Sequence, residues 1–229
     1  MPETDYRRFR LNKLNSPEFC HLWLLLFWPA FGAFFTLLER FSPPNRFHPI
    51  HCALDDAIPF CEWFLIPYLF WFVYLSGTLA YTLFFDVAAF RRMMRFIIFT
   101  YTVTVVIYMI YPSCQELRPA AFERDNLLTR LTSAFYRFDT NTNVCPSLHV
   151  VGSFAAMFTL WGAKRFDTPL LRAVNLFVAL TICASTVFMK QHSCIDVAAA
   201  LPLCAVGYAL FFRRAAMRRP ARVQAHSRS

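Results

Sequence analysis

Two histidines beside long apolar segments are the residues of this chain best suited to chemistry. His149 stands at the start of one such segment, and His192 precedes another, with Asp196 four residues further on. Residues four apart share one face of a helix, so Asp196 can accept the Nδ1 proton of His192 and leave Nε2 free as a nucleophile. A protonated His149 can then give a leaving group its proton. The pattern predicts nucleophilic catalysis by a pair of histidines.

Both histidines lie at predicted helix N-termini, where the exposed N–H groups and the positive end of the helix dipole favour an anion. Ser147, which follows Pro146, is placed either to cap the helix of His149 or to donate its hydroxyl to a phosphate oxygen. A carboxylate in the first turn of a membrane segment is costly, so Asp196 indicates a functional site rather than an interfacial anchor. We therefore predict a site for phosphoryl transfer.

The elements that carry these residues are predicted to be membrane helices. Hydrophobic residues make up 57% of the 229 residues, aromatic residues 18% and charged residues 16%, and the mean hydropathy is +0.40. A soluble domain of this size is roughly 45–50% apolar. The net charge of +9 comes from basic residues that flank apolar segments instead of lining one face. This pattern argues against a nucleic-acid partner and favours contact with membrane lipids.

Apolar segments predict an all-α bundle of six membrane-spanning helices. The first, from Phe19 to Leu38, has 20 residues without a formal charge, enough to cross about 30 Å of hydrocarbon. No cleavage site follows it, so we expect this segment to be retained. The others cover residues 63–85, 96–111, 147–163, 173–189 and 194–212. The aromatic residues of the second segment are expected to face lipid or the membrane interface.

One membrane domain is expected over residues 19–212, between a polar tail, 1–18, and a basic tail, 213–229. In the connector that precedes Pro146, apolar residues recur at helical spacing and predict a helix on the membrane surface. These residues are Leu127, Leu128, Leu131 and Phe135.

The distribution of basic residues predicts the orientation of the bundle. If the N-terminus is cytoplasmic, 16 of the 23 Lys and Arg residues fall in cytoplasmic loops and tails, and seven fall outside. Basic loops tend to stay in the cytoplasm, so both termini are expected there. This orientation puts His149 and His192 at the outer face of the membrane.

The eight cysteines show no zinc-ligand spacing. Cys20, Cys183 and Cys204 lie in apolar segments, where we expect them to pack as small apolar residues. The other five fall on or near one side of the membrane and can pair if that side is oxidising, but the sequence does not select partners. The connector after the first segment holds four more potential metal ligands, whose spacing fits no helix face and predicts a solvated loop. They are His48, His51, Asp55 and Asp56.

Three short motifs resemble those of the PAP2 family, the type 2 phosphatidic acid phosphatases related to vanadium haloperoxidases. Pro146-Ser147-Leu148-His149 resembles the motif P-S-x-H. Ser185, with His192 and Asp196, resembles the motif S-R-x5-H-x3-D. Arg118-Pro119 resembles the end of the motif K-x6-R-P. The resemblance covers residues 60–212 and implies a PAP2-like membrane bundle.

The resemblance implies a phosphohistidine mechanism that requires no metal or other cofactor. His192 would be the nucleophile, Asp196 would orient it, and His149 would be the general acid. The implied phosphate contacts are Arg118, Ser147, Leu148 and Ser185, with Lys190 as an additional cation. The implied substrate is a lipid phosphate such as phosphatidate, phosphatidylglycerophosphate or polyprenyl diphosphate, which would be hydrolysed at the outer membrane face.

Two departures from the motifs leave the reaction open. Tyr111 stands where the first motif has lysine, and Thr186 where the third has arginine. Phosphoryl transfer needs positive charge near the transition state, so Lys190 and Arg124 are candidate replacements. Inositolphosphotransferases and sphingomyelin synthases show a similar loss and pass the headgroup to another lipid. A lipid phosphotransferase and a catalytically inactive protein on the same scaffold are therefore the alternatives.

Overall fold

The computed structural model describes residues 4–41, 43 and 46–213, and the chain is mostly helical. Its α-helices are α1 (Phe27–Phe41), α2 (Ala53–Ala57), α3 (Leu65–Phe85), α4 (Val87–Ile110), α5 (Leu127–Phe138), α6 (Leu148–Gly162), α7 (Pro169–Phe188) and α8 (Cys194–Phe211). Segments of 3₁₀ helix cover Tyr6–Arg8, Leu11–Lys13, Cys20–Leu26, Glu62–Phe64 and Lys164–Phe166. Two short parallel strands, β1 (His48–Pro49) and β2 (Ser113–Cys114), join the connectors before α3 and α5. The predicted basic tail lies outside the described residues, except for Arg213.

Within the described residues, five helical segments are long and apolar enough to cross a membrane. They are Cys20–Phe41, Glu62–Phe85, Val87–Ile110, Pro169–Phe188 and Cys194–Phe211. The sixth apolar helix, α6, has 15 residues and is shorter than the roughly 20 that a crossing needs. The prediction of an all-α membrane protein is therefore confirmed, while the number of six spans stays a prediction.

A capping side chain, and not the nearest charged residue, sets the start of α4. The third predicted segment begins at Phe96, whereas α4 begins at Val87, because the Asp86 carboxylate accepts a hydrogen bond from the Ala89 amide. Three arginines predicted to lie in a loop are therefore inside the helix. They are Arg91, Arg92 and Arg95.

Helix α6 lies at the centre of the bundle and packs against α3, α4, α7 and α8. Gly152 allows α3 and α4 to approach it closely, since an added Cβ would come within 2.9 Å of both the Trp71 indole and the Tyr101 hydroxyl. The starts of α6 and α8 also meet, because the Ser147 amide donates a hydrogen bond to the Asp196 carbonyl at 3.1 Å. The fold therefore brings the two predicted motif helices together at one end of the bundle.

The helix predicted for the membrane surface is present as α5. Its apolar residues divide into two sets. Leu128 and Phe135 pack against the start of α3 and the end of α7, whereas Leu127 and Leu131 are exposed. One face of α5 therefore covers the bundle beside the histidine motifs, and its position at the membrane surface stays a prediction.

Candidate active site

The start of α8 is built around the Asp196 carboxylate. The Ser193 hydroxyl caps the helix by accepting a hydrogen bond from the Ile195 amide, and Asp196 Oδ2 accepts one in return from the Ser193 amide at 3.0 Å. The same oxygen lies 3.1 Å from Nδ1 of His192. Both side chains of this pair are buried. One capping turn therefore brings together the predicted nucleophile and the carboxylate predicted to orient it.

His149 faces this pair from the start of α6. The centroid of its ring lies 5.6 Å from that of His192, 4.6 Å from that of Tyr68 and 4.5 Å from that of Trp71. Nε2 of His149 is buried and makes no hydrogen bond within the described part of the chain. A buried ring nitrogen of this kind is open to a proton or a ligand. The two predicted catalytic histidines therefore meet in space.

Two serines that the resemblance assigns to the phosphate bond to their own helices. Ser147 Oγ accepts a hydrogen bond from the Val150 amide and caps α6. Ser185 Oγ donates to the Ile182 carbonyl at 2.6 Å, as hydroxyls inside helices often do. Leu148 is the first residue of α6 and has only its backbone N–H to offer an anion. The Ser185 hydroxyl is therefore bound to its own helix in this arrangement, and its contact with a phosphate stays a prediction.

The two residues that replace motif cations have structural contacts. Thr186 is fully buried, and its carbonyl accepts hydrogen bonds from the amides of Gln191 and His192, at 3.0 and 3.1 Å. It therefore shapes the turn between α7 and α8 that contains His192. Tyr111 is exposed and stacks on the His48 ring, with 4.4 Å between the centroids.

Arg118, the predicted phosphate-binding cation, is engaged by the protein through all three of its guanidinium nitrogens. They donate to the carbonyls of Tyr136, Asp139 and Thr140 and to Oε1 of Gln191. Burial lowers the pKa of Arg118, and the Asp139 carboxylate opposes that shift. The guanidinium therefore ties the connector to the loop before α8, and the phosphate-binding role expected for it stays a prediction. Its carbonyl acceptors have no signature in the sequence.

The two candidate replacement cations also bind elsewhere. Lys190 is nearly buried, and its ammonium donates to the carbonyls of Asp55 and Ile58 in the connector before α3. Arg124 is exposed and pairs with Glu62 at 3.5 Å. Lys190 therefore anchors the connector in this arrangement, and its contact with a phosphate stays a prediction.

Comparisons with known proteins give no family assignment. No family model matches the chain, and neither does a curated protein or a solved structure. The functional argument therefore depends on the geometry of the site itself.

The sequence did not predict a polar network that lies beside the histidines. Asp139 Oδ2 accepts hydrogen bonds from the Tyr68 hydroxyl at 2.9 Å and from Gln191 Nε2 at 3.0 Å. Burial raises the pKa of Asp139, although the bond from Tyr68 and the charge of Arg118 partly offset the shift. Tyr68 is predicted to face lipid, but it is buried against His149. Its hydroxyl was the available signal, because a phenol inside a membrane segment needs a partner.

Asp55 is a second residue that the sequence analysis placed wrongly. It is buried rather than solvated, and its carboxylate accepts hydrogen bonds from the amides of Cys194 and Cys52 and from the Ser193 hydroxyl. Burial raises its pKa, but these hydrogen bonds outweigh burial and hold the pKa of Asp55 below its ordinary value. The other three residues of the predicted loop are exposed. They are His48, His51 and Asp56.

The eight cysteines are free in the structure. Cys145 lies beside Asp196, and burial together with this carboxylate raises the pKa of its thiol to about 12. The thiol is therefore neutral beside this carboxylate. Asp196 Oδ1 is buried and makes no hydrogen bond within the described residues. The Sγ atoms of Cys52 and Cys194 and a carboxylate oxygen of Asp55 lie within 4.8 Å of one another, a donor set that can hold a metal ion.

Proposed function

We propose that this chain is an integral membrane phosphatase of the PAP2 type, which hydrolyses a lipid phosphate through a phosphohistidine on His192. The observation that carries the proposal is the 3.1 Å contact between His192 Nδ1 and Asp196 Oδ2. A buried carboxylate at Nδ1 keeps the proton on that nitrogen and the lone pair on Nε2. It also stabilises the positive ring that forms when Nε2 bonds to phosphorus.

The proposed reaction has two steps. In the first, Nε2 of His192 attacks phosphorus, the bond from phosphorus to the lipid oxygen breaks, and protonated His149 gives that oxygen its proton, which releases a lipid alcohol. In the second, neutral His149 takes a proton from water, the water oxygen bonds to phosphorus, and the N–P bond breaks. Inorganic phosphate leaves and both histidines return to their first state. The 5.6 Å separation of the rings supports this division of roles.

Helix N-termini supply positive potential in the proposed site. The first turns of α6 and α8 lie side by side, joined by the hydrogen bond from the Ser147 amide to the Asp196 carbonyl. Their N–H groups and dipoles favour an anion between them. This potential is weaker than that of two oriented guanidinium or ammonium groups, because a helix terminus carries about half a charge.

The engagement of the predicted cations favours a second candidate, a lipid phosphotransferase. Arg118 and Lys190 are bound by backbone carbonyls, and Arg124 by a carboxylate. A phosphodiester carries one negative charge where a phosphomonoester carries up to two, so it needs less positive charge at the site. The phosphohistidine would then carry a phosphorylated headgroup, and the hydroxyl of a second lipid would accept it in place of water.

The proposal includes a six-span PAP2-like bundle with both termini in the cytoplasm and the histidines at the outer face. The apolar character of α6 supports its assignment as the sixth span, and its length of 15 residues would place its start below the membrane surface. The division of basic residues, 16 to seven, supports the orientation.

The decisive experiment offers lipid substrates to the purified protein in mixed micelles. The panel contains a phosphatidate, a lipid diphosphate and a phosphodiester lipid, each with and without diacylglycerol, and the His192→Ala variant is the control. Phosphate release that the variant loses supports the phosphatase. Transfer of a headgroup to diacylglycerol without phosphate release supports the transferase. A folded protein that processes none of the lipids overturns both and leaves the inactive scaffold.

A further inference from the structure

The connector before α3 and the first turn of α8 each bring a cysteine to the same place. We propose that Cys52 and Cys194 are a disulfide site that joins these two segments. Their Sγ atoms lie within 4.8 Å of each other in the reduced structure. Rotation about the Cα–Cβ bonds can close this gap to the roughly 2.05 Å of a disulfide if the two backbones already lie close together.

A single carboxylate holds those two backbones together. Asp55 Oδ1 accepts a hydrogen bond from the Cys194 amide at 2.8 Å, and Asp55 Oδ2 accepts one from the Cys52 amide at 2.9 Å. The Ser193 hydroxyl also donates to Oδ2. These three hydrogen bonds hold the two backbones together without the thiols, which removes the main obstacle to pairing residues that are distant in the chain.

Exposure distinguishes this pair from the buried cysteines. Cys52 and Cys194 are partly exposed, so that a small disulfide in solution can reach them. Cys183 and Cys204 are buried in membrane-spanning helices. The sequence leaves open which of five cysteines pair, and the arrangement around Asp55 selects these two.

Oxidation would proceed by thiol–disulfide exchange with a low-molecular-weight disulfide such as oxidised glutathione. One cysteine, as the thiolate, attacks a sulfur of the reagent and releases one glutathione thiol. The second thiolate attacks the mixed disulfide and releases the other. The two protein thiols lose two electrons and two protons, and the reagent gains both as two thiols.

A metal ion is the competing occupant of the same atoms, and the hydrogen bonds of Asp55 argue against it. Its two carboxylate oxygens already accept three hydrogen bonds from neutral donors. A cation would displace or compete with these bonds, and it would need both thiolates at once beside a carboxylate, whereas exchange needs one thiolate at a time. A disulfide leaves all three hydrogen bonds in place.

The disulfide would fix the start of α8, two residues beyond His192. Ser193 connects Asp55 to Asp196, since its hydroxyl donates to the first and its amide to the second. Closing the cross-link therefore constrains the turn that presents the His192–Asp196 pair.

The test uses the full-length protein in detergent micelles. After treatment with oxidised glutathione, free thiols are alkylated with N-ethylmaleimide in denaturant, and the digest is analysed by mass spectrometry with and without reduction. We expect two fewer alkyl groups per chain and a peptide pair that joins Cys52 to Cys194 and disappears on reduction. Cys52→Ser and Cys194→Ser should each abolish this pair, while Cys61→Ser, in the same connector, should keep it.

Three outcomes would overturn the proposal. Full alkylation of both thiols after oxidation would show that they do not pair, and a linkage to another cysteine would show that the wrong partner was chosen. Stoichiometric zinc in the untreated protein, which protects both thiols until a chelator removes it, would establish a metal site instead. None of these readouts requires catalysis, so they are independent of the proposed phosphatase activity.

Discussion

The guanidinium of Arg118 donates to Oε1 of Gln191, the residue immediately before His192, with Nε at 2.9 Å and Nη2 at 2.5 Å. The cation that the motif would assign to the phosphate therefore holds the loop that precedes His192. Nε2 of Gln191 also donates to the Asp139 carboxylate. Both the oxygen and the nitrogen of this side-chain amide are therefore hydrogen-bonded. This relationship makes Arg118 a positioning residue in the described arrangement.

Arg118→Lys should lower the free energy of unfolding by roughly 2–3 kcal/mol, the scale of losing charge-assisted hydrogen bonds at a partly buried site. Lysine keeps the charge but cannot reach three carbonyls and Gln191 at once. Thermal unfolding in detergent measures the change. Arg130→Lys is the matched control, because Arg130 is exposed and its side chain pairs with exposed Asp125. This variant should unfold at the wild-type temperature.

Gln191→Ala should also lower the free energy of unfolding. The loss in the double variant should be smaller than the sum of the losses in the two single variants. The reason is that each substitution removes the same contact. Additive losses would show that the Arg118–Gln191 contact does not support the loop.

His192→Ala should abolish covalent labelling by a phosphorylated substrate, because the attacking nitrogen is gone. His149→Ala should still allow the phosphoenzyme to form from a substrate with a good leaving group, which needs no general acid. Labelling is measured with a radioactive phosphoryl group and checked for the acid lability of phosphohistidine. Equal labelling of the two variants would contradict the assigned roles.

Asp55→Asn should lower the free energy of unfolding at neutral pH by at least about 1 kcal/mol, which is measured as a lower unfolding temperature. The pKa of Asp55 is depressed in the folded protein, so its stabilisation is fully present above the ordinary aspartate value of about 3.9 and is lost as the pH falls through the depressed value. The difference between wild type and variant should therefore shrink in acid. Asp56→Asn, at the exposed neighbouring position, should leave the unfolding temperature unchanged; a difference that persists undiminished in acid would rule out this account of Asp55.

Gly152→Ala should destabilise the protein by about 1–3 kcal/mol, the usual cost of overpacking. The new methyl group would lie 2.9 Å from Trp71 and Tyr101, and Trp71 packs against His149. Gly32→Ala in α1 is the control, because among the described residues no atom beyond its chain neighbours and its own helix backbone lies within 4 Å of the added Cβ. Helix propensity should make this change neutral or slightly stabilising. Similar unfolding temperatures for the two variants would contradict the close contact.

A cysteine at exposed position 125 should react with a membrane-impermeant thiol reagent in intact cells, in a background without reactive native cysteines. A cysteine at exposed position 165 should react only after the membrane is made permeable. The reason is the division of basic residues between the two sides. The opposite labelling pattern would place the histidines on the cytoplasmic face.

Local interactions allowed part of this structure to be predicted from the sequence. Apolar segments predicted membrane helices because backbone hydrogen bonds within lipid must be satisfied inside the segment. The spacing of His192 and Asp196 predicted their contact because four residues make about one helical turn. Ser147 marked the start of α6 for the same reason, since a cap acts within its own turn.

Tertiary structure alone decided the surroundings of that pair. Arg118 and Lys190 are bound by backbone carbonyls of distant segments. Every residue has a carbonyl, so the pattern of side chains does not predict these acceptors. Asp55 is buried because α8 supplies its hydrogen-bond donors, and Tyr68 faces His149 because α3 packs against α6. The distance between His149 and His192 depends in the same way on the packing of α6 against α8. Such contacts depend on how whole helices pack. A sequence motif specifies residue types, but it does not specify the hydrogen-bond partner of each residue.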